Sequence, residues 1–100
     1  MQLKPGTRLE SVTCDTQVVV VRAPADEVDL RCGGQPMQPV GTGGARQPMA
    51  GSGDPTLTGK RYAEEDLGLE LLCTKAGEGW LSVADRPLLV KGAKPLPSSD

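Results

Sequence analysis

Gln17-Val18-Val19-Val20-Val21-Arg22, followed by Ala23-Pro24-Ala25-Asp26 and then by Val28-Asp29-Leu30-Arg31, is the stretch that decides the fold class. Four successive β-branched residues crowd a helix but fit the pleated surface of a strand. The Pro-Ala-Asp segment supplies a turn. The reading places a return strand over residues 28–31, closing a hairpin. Downstream, Glu70-Leu71-Leu72-Cys73-Thr74-Lys75, the turn Ala76-Gly77-Glu78-Gly79 and a return strand over Trp80-Leu81-Ser82-Val83 read the same way. Residues 67–72 also suit a helix; Gly68 and the parallel with the first stretch favour a strand.

The parallel extends along both arms. Gly6-Thr7-Arg8-Leu9 falls on Gly59-Lys60-Arg61-Tyr62 at a constant interval, and residues 17–22 fall on 70–75 at that same interval. Two extra residues around Pro24-Ala25-Asp26 then shift the match. Val28-Asp29-Leu30-Arg31 falls on Gly79-Trp80-Leu81-Ser82, and Gln35-Pro36-Met37 on Arg86-Pro87-Leu88. This ordered agreement is read as an internal duplication. Between the arms, residues 41–55 are rich in Gly, Pro and Ser and carry no apolar period, as expected of a linker. The expected organisation is a first unit over residues 1–40, a linker over 41–55, a second unit over 56–92 and a tail over 93–100.

Composition limits the chemistry. The chain has 100 residues, a formal net charge of −2, 37% hydrophobic residues and two aromatic side chains, Tyr62 and Trp80. No basic patch or stacking platform for nucleic acid is visible. The longest apolar run, residues 18–21, is far too short to cross a bilayer. The N-terminal residues have no apolar signal-peptide region, so a cytoplasmic protein is expected. Thirteen Gly and nine Pro disfavour long helices. There is no histidine, which removes the usual neutral-pH acid–base group and the commonest metal ligand. A non-enzyme is the expectation. Asp26-Glu27 and Glu64-Glu65-Asp66 read as solvated turn charges, and Gly41-Thr42-Gly43-Gly44-Ala45 lacks the ending of a phosphate loop.

Cys32-Gly33-Gly34-Gln35-Pro36-Met37, with Cys14 upstream and the predicted hairpin between, resembles the desulforedoxin family, the rubredoxin-like iron module also found at the N-terminus of desulfoferrodoxins. The family pattern is Cys-x-x-Cys-Gly, a strand, a Gly-rich turn, a strand, and Cys-Cys-Gly-x-x-Met. Cys32 and Met37 match the closing motif, with Gly33 in the place of its second Cys. Cys14 matches the second Cys of the opening pair with Ser11 in the first place; a shifted alignment would make Cys14 the first. In the second arm the four ligand places fall on Glu64, Leu67, Val83 and Ala84. The resemblance implies a small all-β fold in which two β-hairpin units, joined by the Gly/Pro-rich linker, form a pseudo-dimer.

Rubredoxin-type iron and structural zinc take four soft ligands in a tetrahedron. The first arm keeps two and the second none, so no cofactor is the first expectation. Iron or zinc at Cys14 and Cys32, completed by groups such as Asp15, Asp29 or a partner residue, is the alternative. Two further readings of that pair are free thiols and a disulfide. Reversible thiol chemistry ranks lowest, because Cys14 has no neighbouring cation to lower its pKa. Cys73 falls mid-strand and reads as a buried small residue. Trp80 reads either as an anchor for a partner or as a cap on the core. The functional expectation is a non-catalytic accessory protein that binds a larger protein through edge strands or its tail. The alternative is a redox or electron-transfer protein with iron or zinc at Cys14 and Cys32.

Overall fold

The computed structural model describes residues 2–51, 53–83 and 86–90. The expected tail over 93–100 and the ligand place Ala84 lie outside the described residues. Among these residues every helix or strand is a strand: β1 (Arg8–Glu10), β2 (Gln17–Arg22), β3 (Leu30–Cys32), β4 (Gln35–Pro36), β5 (Gln38–Pro39), β6 (Arg61–Glu64), β7 (Leu69–Lys75), β8 (Leu81–Val83), β9 (Arg86–Pro87) and β10 (Leu89–Val90). The protein is a small all-β fold. Among the described residues no helix is long and apolar enough to cross a membrane.

Two antiparallel sheets hold the strands, in the orders β10-β6-β7-β2-β1-β5 and β4-β3-β8-β9. Each order reads as one half of the chain meeting the other, through β2 and β7 in the larger sheet and β3 and β8 in the smaller. The register is reciprocal. Val19 faces Leu72, Val18 faces Cys73 and Val20 faces Leu71. The pairing slips by one residue on each side, so that Gln17 meets Lys75 and Arg22 meets Glu70. In the smaller sheet Arg31 faces Ser82, flanked by Leu30 with Val83 and Cys32 with Leu81. Val19 with Leu72 and Arg31 with Ser82 are thus the midpoints of the two seams, and the flanking residues pair crosswise about them.

Local features repeat as well. Gly6 and Gly59 adopt φ of 90° and 82°, open to glycine without strain. Their N–H groups donate to Val20 O at 2.7 Å and Cys73 O at 2.8 Å. The Gly-x-Arg element is therefore the turn that ties the start of each half to its central strand. After the short strands β4 and β9, Met37 N donates to Leu30 O at 3.1 Å and Leu88 N donates to Leu81 O at 2.9 Å.

One sequence expectation is corrected. β2 and β3 do not form a hairpin, nor do β7 and β8. Both edges of β2 are taken, by β1 and by β7, and both edges of β7 by β6 and β2. The return strands must therefore join the second sheet. The hairpins that do form are β1 with β2 and β6 with β7, Leu9 facing Val18 and Tyr62 facing Leu71. Residues 67 and 68 belong to the β6–β7 turn, where Gly68 has a φ of 71°, and the strand begins at Leu69.

Alternation along β2 sends Val18 and Val20 inward, while Val21 is exposed. Leu69, Leu71 and Cys73 do the same on β7. With Leu9, Leu30, Tyr62, Leu81 and Val83 they form one apolar cluster drawn from both halves and both sheets. Leu71 is 0% exposed. Leu71→Ala should cost about 2–5 kcal/mol through lost burial and the cavity left behind. Val21→Thr on the neighbouring strand should cost less than about 0.5 kcal/mol. Urea midpoints of the two variants against the parent check the contrast.

Candidate functional site

Residues 11–16 connect β1 to β2, and Ser11 N donates to Thr16 O at 2.9 Å to close the turn. Inside it, Ser11 Oγ accepts the N–H groups of Thr13 at 3.0 Å and Cys14 at 3.2 Å. The turn thereby folds around a side-chain oxygen and brings Cys14 beside it, with Sγ 3.5 Å from Ser11 Oγ. Cys32, at the end of β3, reaches the same place, and its Sγ lies 4.0 Å from that of Cys14. The two sulfurs are free thiols. Cys32 is fully buried, whereas Cys14 retains 9% exposure and lines an open surface groove beside Thr13, Asp15, Arg46, Gly77 and Glu78.

The second half of the chain covers this pair. Gly79 N donates to Cys14 Sγ at 3.3 Å. A Cβ on Gly79 would stand 2.9 Å from Cys32 Sγ and 3.1 Å from Cys14 Sγ, so this position has no room for one. Behind Cys14, Thr16 Oγ1 lies 3.2 Å from its Sγ and 2.6 Å from Thr56 Oγ1. Thr56 Oγ1 in turn accepts Gly77 N–H at 3.2 Å and reaches Gly77 O at 3.2 Å. Each hydroxyl has one proton and can also accept. With Cys14 ionised, Thr56 donates to Thr16 and Thr16 donates to the sulfur. With Cys14 protonated, the chain reverses and ends on Gly77 O. The row of hydroxyls therefore satisfies either state.

These contacts separate the two thiols. Burial pushes the Cys14 thiol up, but the Ser11 and Thr16 side chains and the backbone of Thr16 and Gly79 outweigh it, and the pKa falls to about 6. Burial pushes Cys32 up to about 12, and the charge of Cys14 adds to the rise. Burial also raises Cys73, whose Sγ donates to Lys75 O at 3.2 Å. Cys73 is 0% exposed in the middle of β7, as expected of a core residue.

A four-thiolate metal would need donors that this pocket lacks. A tetrahedral ion with bonds of about 2.3 Å sets its sulfurs about 3.8 Å apart. The Cys14–Cys32 spacing is close to that, but the third group is a serine hydroxyl. The fourth place is Gly33, at a φ of 67°, and the space for its Cβ is taken by Thr13 Oγ1. Thr13 Oγ1 donates to Cys32 O at 3.2 Å and is committed there. Asp15 pairs with Arg46 at 3.0 Å and Asp29 with Arg31 at 3.0 Å. No group of three or more His, Cys, Asp or Glu side chains among the described residues could hold an ion. The residues present do not fit the group.

At the equivalent turn of the second half, Glu64 Oε1 accepts Asp66 N–H at 3.2 Å, the role of Ser11 in the first. Its carboxylate also pairs with Arg86 at 3.8 Å, so Glu64 is held rather than freely solvated. Leu67 and Val83 pack in the apolar cluster. Trp80 is half-buried. Gly51 and Gly53 lie against its indole, and a Cβ on Gly53 would stand 2.5 Å from Trp80 Cγ. It lines an open groove of about 600 Å³ with Asp29, Arg31, Ser82 and Pro87. The expected linker is docked in places, with Gln47 N on Val12 O at 2.7 Å and Ala50 N on Gly33 O at 2.9 Å.

Sequence reasoning brought Cys14, Cys32 and Ser11 together. It missed Thr16, Thr56, Gly77 and Gly79, which come from three separate segments and carry no motif. It also looked only for a cation beside Cys14, whereas hydroxyl and N–H donors supply the effect. No family model, curated protein or solved structure matches the chain.

The opposite shifts give stability a shape in pH. Cys14 ionises more readily in the folded chain than at its ordinary value of 9.0. Its contribution is complete above pH 9 and fades as pH falls through about 6. Cys32 prefers to stay neutral, so unfolding is favoured as pH rises beyond 9 toward 12. The melting temperature of the reduced chain should peak near pH 9. In Cys14→Ser the decline between pH 9 and 6 should flatten, as measured by circular dichroism melts across that range.

Proposed function

We propose that this chain is a non-catalytic accessory protein of desulforedoxin-like type, two fused units that have given up the metal and serve as a binding module for a larger protein. The observation that carries the reading is the closure of both ligand regions by the chain's own side chains. Thr13 occupies the Gly33 place, Glu64 is tied to Arg86, Val83 belongs to the core and Leu67 packs against it. The reciprocal pairing of β2 with β7 and of β3 with β8 supports the fused pair. A tetrahedral site normally staples so small a unit. Here the two halves share one apolar cluster in its place.

The surface offered to a partner is the β10 side of the larger sheet. β10 is an edge strand of two residues, and Leu89 on it is 72% exposed. The exposed Leu89 side chain there gives another protein an apolar group to pack against. The net charge of −2 and the two aromatic side chains favour a protein partner over nucleic acid or a membrane, and a cytoplasmic setting suits free thiols. The competing reading, an iron or zinc electron-transfer protein, draws on the 4.0 Å spacing of Cys14 and Cys32.

One experiment separates them. Protein purified without chelator should have the mass of the bare chain in native mass spectrometry, and chelator should leave its melting temperature unchanged. About one iron or zinc per chain, lost in Cys14→Ser, with a fall in melting temperature on chelation, would overturn the accessory reading.

A further inference from the structure

The pair at Cys14 and Cys32 has the arrangement of an attacking and a resolving thiol. We infer that it is a thiol–disulfide exchange site for low-molecular-weight disulfides, with Cys14 attacking from the groove and Cys32 closing an internal disulfide. This inference goes beyond the accessory reading and does not rest on it.

Three observations carry it. First, access is asymmetric: Cys14 lines the groove with Asp15, Arg46 and Glu78, while Cys32 lies fully buried behind it. A small disulfide in the groove meets one sulfur and not the other. Second, donors converge on Cys14 Sγ: Gly79 N–H at 3.3 Å and the hydroxyl of Thr16 at 3.2 Å. These stabilise the thiolate, which is the nucleophile. Third, Cys32 Sγ waits at 4.0 Å, and a disulfide bond needs about 2.05 Å. Cys14 lies in the bend before β2, and Cys32 is the last residue of β3, followed by Gly33 and Gly34 at positive φ.

The Cys14 thiolate attacks one sulfur of the small disulfide RSSR, forming a Cys14–S–SR bond and expelling RS⁻. Cys32 gives its proton to the expelled thiolate and attacks Cys14 Sγ, forming the internal disulfide and expelling the second RS⁻, which takes the proton first released from Cys14. Two protein thiols are oxidised and one RSSR is reduced to two RSH. Cys73 takes no part, since it is buried in β7 with its Sγ turned to Lys75 O.

The test uses the whole reduced chain, with chelator present to exclude metal, and oxidised glutathione as the probe. Samples quenched with an alkylating agent are read by intact mass and peptide mapping. The parent chain should lose two hydrogens and yield a Cys14–Cys32 linked peptide, with Cys73 alkylated only after denaturation. Cys32→Ser should stop at glutathione on Cys14, and Cys14→Ser should react about tenfold or more slowly. Should either variant fail to fold, the time course of the parent decides, since glutathione must appear on Cys14 before the internal disulfide. A parent chain that stays reduced, glutathione appearing first on Cys32 or Cys73, or Cys14→Ser reacting as fast as the parent would each overturn the inference.

Discussion

The antiparallel seam between β2 and β7 is the constraint from which the remaining structure follows. Once Val19 faces Leu72, both central strands have used one edge on each other and must take their own-half partners, β1 and β6, on the other edge. That occupancy sends β3 and β8 into a second sheet, where they meet across Arg31 and Ser82. The apolar residues of β2 and β7 then face those of β3 and β8, and one core is formed where each half alone would have too little. The sulfur pair is a product of the same geometry. Gly77 and Gly79, in the loop leading from β7 to β8, are delivered onto Cys14 because the second half is locked against the first.

Much of this was written in local sequence. The β-branched run of β2, the turn-forming glycines at positions 6 and 59 and the two-residue insertion near Pro24 are local signals, and all act within one half. The observed register is symmetric about Val19 with Leu72, with a one-residue slip on either side, beside Gln17 and Arg22. The partner of each strand was not legible. Turn chemistry at residues 23–26 announces a change of direction and not the sheet in which the chain will resume, and that depends on which edges are already filled.

The site divides in the same way. Cys14 and Cys32 stand out because few residue types have their chemistry, and Ser11 enters only through the resemblance, in the place of an opening cysteine. Thr16 and Thr56 are unremarkable in sequence and matter through a 2.6 Å contact between segments far apart in the chain. Gly79 matters through the side chain it lacks. The ionisation of Cys14 was misjudged for a related reason: it depends on uncharged donors, and these are assembled only by the tertiary fold.

The covalent join between the halves has a consequence for how such a molecule can change. In two identical chains every replacement is made twice; in one chain a replacement falls on one half alone. Thr16 can lean on Thr56 while its counterpart Leu69 packs in the core, and Ser11 can organise a polar turn while Glu64 serves an ion pair. The two halves thus carry unlike interiors at matching places, polar around Ser11 and Thr16 and apolar around Leu69.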